Sequence, residues 1–327
     1  MTDTATATAS EAKRQRSYRG YLYIAAATFS WGICATLGRA AFTGRLFPGA
    51  GIQNIDPLIL SQCRTTFSFL VVLAVLLPRR GWKQLRLPWP EVGRLFMLGL
   101  AGVAASNYFY YLAIQRTNVA TAIIVQYTAP VWVLLYMVWR GAERLTPAKI
   151  GSVLLALVGI ALVIGLFGQG RLQLDGLGVT AALIAAFSFA FYNIAGHSIL
   201  ARRDRWTVLL YTTMATSLFW IVVNPPNKIF AAHYSPATWS FLVVFAMLSV
   251  LVPFAFYFAG LEYLKPTQAI IVSCLEPVFS ILIAAIALKE VVGPLQGLGI
   301  AMVLCAILVV QRPAGGSAAS SNIGPVD

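Results

Sequence analysis

Two prolines with polar residues four positions before them are the sites in this apolar chain best suited to chemistry. Pro130 follows Gln126, and Pro277 follows Ser273, each at a spacing of four residues. Proline in a helix removes the hydrogen bond to the carbonyl four residues earlier, so the carbonyls of Gln126 and Ser273 are predicted to be free. In a lipid environment such groups are tolerated only inside protein or a watery cavity. The pattern predicts helices kinked either around a central cavity or for packing alone.

An acidic residue directly precedes the second proline. Glu276 lies ten residues after Pro266, which corresponds to a helical rise of about 15 Å, half of a hydrocarbon core about 30 Å thick. An ionisable residue at that depth is a functional hypothesis by default. It can bind a substrate ammonium, carry a coupling proton, or serve as a structural acid held by helix dipoles and donors across the bundle.

Aromatic and amide side chains accompany these positions, and several have the i,i+3 or i,i+4 spacing that places them on one helix face. Together they predict a cavity with π faces and a few hydrogen-bonding groups, suited to amphipathic or aromatic solutes. The alternative is that these rings serve packing or interfacial belts. The predicted substrate-binding residues are Trp31, Asn107, Tyr111, Gln126, Tyr127, Tyr192, Asn193, Ser273 and Glu276, and the predicted helix-kink residues are Pro130 and Pro277.

Two arginines fall within predicted spans. Arg64 lies seven residues into the second, where it can pair with a substrate carboxylate, pair with an acid such as Asp56, or snorkel to the interface. Arg39, near the end of the first span, is predicted to snorkel. The two histidines, His197 and His233, are predicted to be structural.

Composition assigns the chain to the membrane. Of its 327 residues, 59% are apolar and 11% are charged, and the mean hydropathy is +0.76. Soluble chains average about 45–50% apolar and about 25% charged, which disfavours a soluble enzyme, a disordered protein and a nucleic-acid-binding module. The formal net charge of +13 comes mostly from residues that flank apolar runs, so the partner they indicate is the lipid bilayer. The four cysteines lie inside apolar segments, and we expect no disulfide, metal or cofactor.

Ten apolar segments are long enough to be read as membrane-spanning helices. The basic segment 1–20 before them is predicted to be a cytoplasmic tail, and the Gly/Ser/Ala-rich segment 312–327 a disordered one. The predicted spans are 21–41, 57–77, 92–112, 119–139, 148–167, 176–198, 206–223, 240–261, 266–287 and 292–311.

The distribution of basic residues predicts the orientation. Of the 24 Lys and Arg residues, 17 lie on the side of the two chain ends, 5 lie on the other side, and 2 lie within spans. All the loops are short, which is where the positive-inside rule is most reliable. Both termini are therefore predicted to be cytoplasmic.

An internal repeat predicts the architecture. The segment Tyr110–Pro147 matches Tyr257–Pro294 without a gap, at a constant offset of 147 residues. Each half, 21–167 and 168–311, then holds five spans, and an odd number makes the second half enter from the opposite face. The prediction is an all-α integral membrane protein of ten helices in two inverted five-helix repeats, a plan of secondary transporters. The identical pairs include Ala122/Ala269, Ile123/Ile270, Val125/Val272, Pro130/Pro277, Glu143/Glu290 and Pro147/Pro294.

These residues also carry a resemblance to a known family. The pattern A-P-V…G-A-E-R-L-T-P over 129–147 recurs as E-P-V-F-S…A-L-K-E-V-V-G-P-L-Q-G-L-G over 276–299. It resembles the paired domain of the drug/metabolite transporter superfamily, EamA type, over about residues 20–311. The resemblance implies a bacterial inner-membrane exporter of amino acids or other small metabolites. One branch exports aromatic amino acids, but no motif here singles out that branch.

The sequence therefore predicts a secondary transporter that exports small amphipathic metabolites, most readily aromatic or apolar amino acids, by alternating access. The alternatives are a drug, nucleoside or sugar exporter of the same fold, and a membrane-embedded enzyme of lipid metabolism. The enzyme is disfavoured because the chain has no H-E-x-x-H, D-D-x-x-D or His/Asp constellation. The predicted partners are a small-molecule substrate and the bilayer, with protons as a candidate coupling ion and no nucleic acid. The protein is expected to be a monomer or a weak homodimer.

Overall fold

The computed structural model describes residues 2–42, 52, 55–166, 174–288 and 291–311, and it describes only the backbone of 2–14, 16, 38–42 and 288. Within these ranges, which also hold a short helix at Pro226–Ala231 and no strand, the chain forms ten long helices. They are α1 (Thr2–Phe42), α2 (Pro57–Leu85), α3 (Trp89–Arg116), α4 (Val119–Trp139), α5 (Pro147–Val163), α6 (Gly176–Leu200), α7 (Arg205–Val223), α8 (Pro236–Leu261), α9 (Pro266–Ala287) and α10 (Pro294–Val310).

The helices confirm the all-α membrane fold predicted from the apolar runs. Eight of the described helices are long and apolar enough to cross a membrane, while α5 and α10 are apolar but have only 17 residues each. Helix α1 is already helical at Thr2 and its apolar part is Ser17–Leu37, and the assignment of 1–20 as a cytoplasmic tail stays a prediction. The predicted tail 312–327 lies outside the described residues.

Prolines and acidic caps determine where the helices begin. Six of the ten helices, α2, α3, α5, α8, α9 and α10, have proline in their first turn, where its missing N–H is not needed. At several helix starts, side-chain oxygens also accept hydrogen bonds from the free N–H groups of the first turn. The Asp56 carboxylate accepts from the N–H groups of Leu58 and Ile59, and the Asp175 carboxylate accepts from that of Gly178.

Helix α2 is broken at Gly81, near its end, and four other helices have interruptions that match between the two halves. Helix α3 has a π-helical stretch at Leu98–Ala104, and α8, its partner in the repeat, has one at Met247–Leu251. Helix α4 stops at Gln126 and resumes at Ala129, and α9 stops at Ser273 and resumes at Leu275. The breaks in α4 and α9 lie just before Pro130 and Pro277, whose rings cannot continue the preceding turn.

The packing of the helices follows the two-fold pattern of the repeat. Helix α1 packs against α8 and α9, and α6 packs in the same way against α3 and α4. The contact of α2 with α8 has its counterpart in that of α7 with α3, while α2 packs against α7 and α5 against α10. The buried core lies along these seams and includes Leu98, Leu209, Tyr257 and Phe258.

Alternating passage of ten helices places the connections α2–α3, α4–α5, α6–α7 and α8–α9 on one side of the bundle, together with the two chain ends. We call this the basic side, because most of the Lys and Arg residues lie there.

Two glycines bring α5 and α10 into backbone contact. A Cβ atom built on Gly299 would lie 2.6 Å from the carbonyl oxygen of Gly159 and 2.7 Å from the Leu162 Cβ. A Cβ on Gly159 would lie 2.9 Å from the carbonyl oxygen of Gly299. Small residues are what allow membrane helices to approach this closely, so the crossing depends on both glycines.

We expect Gly299→Leu to destabilise the purified protein by about 1–3 kcal/mol, because the new side chain must push α10 away from α5. Its thermal unfolding midpoint in detergent should fall below that of the wild type. The matched control is Gly297→Leu on the same helix, where a Cβ would have no neighbour within 4 Å. Equal midpoints for the two variants would contradict the tight crossing.

Candidate functional site

The interrupted helices of the two halves meet through one hydrogen bond at the centre of the bundle. The Tyr127 hydroxyl, at the break in α4, donates to Oε2 of Glu276 in α9 over 3.1 Å. Glu276 lies in the first turn of the second segment of α9, where the N-terminal end of the helix dipole favours a carboxylate. The breaks therefore supply both a donor and a favourable backbone field for a buried acid.

The surroundings of this contact indicate an internal space. Protein atoms surround Glu276, Tyr127 and Tyr110, yet each of the three side chains keeps an accessible part. The Glu276 carboxylate also lies within electrostatic reach of the Tyr110 hydroxyl on α3. Three helices, α3, α4 and α9, thus present polar groups to one enclosed region.

A second polar group, Arg64 on α2, lies within electrostatic reach of Glu276. Arg64 donates from Nη2 to the Asn107 Oδ1 over 2.6 Å, and the Asn107 amide nitrogen donates to the Val103 carbonyl over 2.7 Å. No carboxylate of the described residues lies within 4 Å of Arg64. The predicted pairing with Asp56 is not formed, because Asp56 caps α2 instead.

A narrow cavity with room for about one water molecule adjoins Arg64 and Asn107. It lies between α2, α3, α7 and α8. Its polar lining includes Thr212, Thr213 and Thr216, whose hydroxyls all donate to backbone carbonyls. Each threonine therefore offers lone pairs to the cavity, and the donors on its wall belong to Arg64 and to the second N–H of the Asn107 amide.

The aromatic residues predicted for the site divide between two environments. The Trp31 indole N–H donates to the Ser249 carbonyl over 3.2 Å, and its ring lies 5.3 Å from that of Tyr257. Trp31 and Tyr111 are half-buried, and Tyr111 packs against Tyr110 at 6.0 Å. Tyr192 is 2% exposed and packs among Phe254, Tyr257, Phe258 and Phe189.

The remaining predicted amides and hydroxyl also separate by burial. Asn193 is fully buried, accepting from the Tyr257 hydroxyl over 2.6 Å and donating to the Phe189 carbonyl. Ser273 is buried and donates to the carbonyl of Ile270. Gln126 is half-buried at the end of the first segment of α4, and its amide donates to the Ser106 hydroxyl over 3.4 Å.

Tyr110 and Tyr257 were not among the predicted site residues, although the sequence contained a signal for both. They are a repeat pair at the 147-residue offset, and each now lies beside a polar predicted residue, Tyr110 near Glu276 and Tyr257 on Asn193. A tyrosine retained at matching positions in both halves was the available clue.

Residues outside the centre have separate roles. The Nδ1 of His197 lies 2.8 Å from the Leu261 carbonyl, a contact between α6 and α8. His233 has a positive φ of 46° in the connection before α8. The side chain of Arg39 lies outside the described residues.

Ion pairs join the two halves on the basic side. Arg80 at the end of α2 contacts Asp204 at 2.9 Å, and Arg203 contacts Glu91 of α3. Burial alone would raise the pKa of Asp204, but hydrogen bonds from Thr207 and Arg80 outweigh it and hold the pKa below its ordinary value. The charged form is thus favoured, and the pair is lost only as the pH falls through that lowered pKa.

The chain is similar to known transporters over most of its length. It is 26% identical over 276 residues to the threonine/homoserine exporter RhtA of Escherichia coli (strain K12), covering 82% of this chain and 85% of that protein. An uncharacterized transporter of Archaeoglobus fulgidus is 24% identical over 80% of this chain and 90% of its own. The aromatic amino acid exporter YddG of Ancylobacter novellus is 28% identical over 43% of this chain and 49% of that one.

A solved crystal structure has the same fold. It aligns with a TM-score of 0.71 at 23% identity, over 89% of this chain and 96% of that chain. The model of the EamA-like transporter family matches twice, at residues 18–165 and at residues 176–312. The two matches cover the two halves, each with an interrupted helix that contributes to the central contact. The chain belongs to the EamA-like transporter family.

Proposed function

We propose that this protein is a secondary transporter that exports neutral amino acids through the bundle centre by alternating access. The observation that carries the proposal is the Tyr127–Glu276 hydrogen bond, which joins the interrupted helices of the two halves around a buried acid. A carboxylate at this depth is costly unless it binds a cation or proton. The ammonium group of an amino acid is a cation that fits this requirement.

Glu276 is the proposed ammonium-binding residue, and Tyr127 holds its carboxylate in position. Trp31, Tyr111, Gln126 and Asn107 are the proposed lining, since all four are half-buried and keep accessible surface. The buried residues Tyr192, Asn193 and Ser273 are proposed to pack behind this lining and hold it in place. The helix breaks at Pro130 and Pro277 are proposed to fix the backbone conformation at the site.

Alternating access is supported by the symmetry of the bundle. We propose that the halves 21–167 and 168–311 rock against each other about the central contact. Within the described residues, the ion pairs that connect the two halves both lie on the basic side. They are Arg80–Asp204 and Glu91–Arg203. They would hold that side closed and must separate when it opens, which makes them the proposed inner closure.

The substrate class rests on the named relatives and on the lining. RhtA and YddG are named as exporters of threonine/homoserine and of aromatic amino acids, and both classes are neutral overall. The rings of Trp31 and Tyr111 favour aromatic or apolar amino acids. The threonine-rich cavity beside Arg64 favours small hydroxylated ones, so both classes belong in the first test.

The membrane arrangement completes the proposal. The bias of Lys and Arg towards the basic side supports cytoplasmic termini in a bacterial inner membrane. Glu276 is the candidate carrier of a coupling proton, and the pseudo-symmetric halves are compatible with a working monomer.

Counterflow into liposomes tests the proposed function directly. Purified protein is reconstituted with internal unlabelled threonine, homoserine, leucine or phenylalanine, and uptake of the labelled compound is followed at clamped pH. Accumulation of at least one amino acid above protein-free liposomes is the expected result. If none accumulates with folded, monodisperse protein, the amino-acid proposal is wrong, and drugs, nucleosides and sugars become the next panel.

We expect Glu276→Gln to lower the initial counterflow rate at least about tenfold, because the amide cannot pair with the substrate ammonium. Tyr127→Phe should have a smaller effect, since it removes only the donor that positions the carboxylate. The matched control is Glu262→Gln, an exposed acid on the basic side that lies 3.7 Å from Arg205. Wild-type rates in Glu276→Gln would remove this residue from the mechanism.

Cysteine labelling checks the proposed orientation. Arg202 and Lys228 are exposed at opposite ends of α7. In intact spheroplasts, a membrane-impermeant maleimide should label Lys228→Cys at once and Arg202→Cys only after permeabilisation, with the wild type giving the background from its own cysteines. The reverse pattern would place the termini outside the cytoplasm.

A further inference from the structure

We propose that Arg64, positioned by Asn107, binds the carboxylate of the transported amino acid, so that Arg64 and Glu276 form opposite poles of one zwitterion site. This inference rests on the proposed function and deepens it, since it states which chemical group of the substrate is required. It also limits the substrates to compounds that carry both an ammonium and a carboxylate.

The first observation is a cation in the bundle without a counter-ion beside it. Arg64 is half-buried within α2, and the described residues offer no carboxylate within 4 Å. Within the part of the chain that the structure describes, its hydrogen-bond partner is the neutral Asn107 amide oxygen. A charged group removed from water is costly unless it is paired, so this position calls for an anion.

The second observation is that the Arg64 guanidinium keeps donors without a partner. The Arg64 Nε atom is buried and has no hydrogen-bond partner. The guanidinium binds carboxylates bidentately through two adjacent N–H groups. Asn107 occupies Nη2, and its own amide is tied to the Val103 carbonyl, so the guanidinium is held in place while donors remain for a ligand.

The third observation is a space beside the guanidinium. The cavity next to Arg64 is bordered by threonines that present only lone pairs. Lone pairs attract no carboxylate, so the charged donor that can orient the anion within the cavity is Arg64. The cavity is narrow in this conformation, and it must widen when the halves move if it is to admit the rest of an amino acid.

The fourth observation connects the two charges. Arg64 lies within electrostatic reach of Glu276, and Cys34 of α1 lies within reach of both. The Tyr127 hydroxyl, and not Arg64, occupies the carboxylate at hydrogen-bond distance. A zwitterion inserted between the two charges pairs each of them with its opposite, and the occupied site stays neutral overall.

Comparison of each amino acid with its amide tests whether Arg64 binds the substrate carboxylate. Unlabelled threonine and threoninamide, or phenylalanine and phenylalaninamide, compete with the labelled acid in counterflow at about pH 6, where both amines are protonated. We expect the wild type to prefer the acid over the amide at least about tenfold, the strength of a charge-assisted contact. In Arg64→Gln this preference should fall close to one.

Two further variants keep the test decisive. Arg116→Gln is the matched control, because it removes an exposed arginine from the end of α3, and it should keep the preference. Asn107→Asp supplies Arg64 with its own carboxylate at nearly constant shape and should abolish the preference without removing the cation. If Arg64→Gln does not fold, the Asn107→Asp variant alone tests whether Arg64 binds the substrate carboxylate.

The outcomes separate this inference from the function on which it rests. If the wild type exchanges no amino acid, the proposed function falls and the carboxylate site falls with it. If exchange is intact but the acid is preferred equally in the wild type, Arg64→Gln and Asn107→Asp, the carboxylate site alone is overturned. Loss of the preference in both variants, with the control unchanged, supports it.

Discussion

The centre of this molecule depends on the requirement that backbone polar groups be satisfied in a medium without water. An unpaired carbonyl or N–H in the hydrocarbon region costs several kcal/mol, yet α4 and α9 both break there, at Tyr127–Thr128 and at Cys274. Such breaks persist only where other protein groups surround them. The six other helices that contact α4 or α9 enclose the breaks, and they thereby create an interior in which a carboxylate can remain.

Duplication explains how one chain generates such an interior. Because the halves are related by inversion, each interrupted helix contacts its counterpart, and the Tyr127–Glu276 hydrogen bond joins them beside the two breaks. The divergence between the halves then becomes informative. Glu276 in α9 has Ala129 as its counterpart in α4 at the 147-residue offset. The carboxylate at this position is therefore present in only one of the two halves, although the helices around it are arranged symmetrically.

Helix number and the repeat could be predicted from the sequence because apolar runs, short basic loops and the Pro130/Pro277 pair are local signals. The rotation of each helix about its own axis, which decides which side chains face the interior, could not be predicted. Lipid and protein interior are equally apolar, so a membrane helix has no strong amphipathic face. Tyr111 and Tyr192 therefore looked alike in sequence, although one is half-buried and the other is in the packed core. Segment 1–20 is helical from Thr2, in keeping with its Ala, Glu, Lys and Arg residues, which favour helix.

The short pair α5 and α10 has a consequence for the surrounding lipid. Seventeen residues in each give a helix of about 25 Å, several ångströms less than a hydrocarbon core of about 30 Å. Their outer surfaces are apolar and exposed, as at Leu154, Val158, Leu298 and Leu308, so acyl chains must meet them directly. Tilting would only shorten their reach, which leaves thinning of the adjacent leaflets as the way to relieve hydrophobic mismatch. Bilayer thickness therefore affects the contact between α5 and α10, where the two halves join. Acyl-chain length is a variable that any reconstitution of this transporter must control.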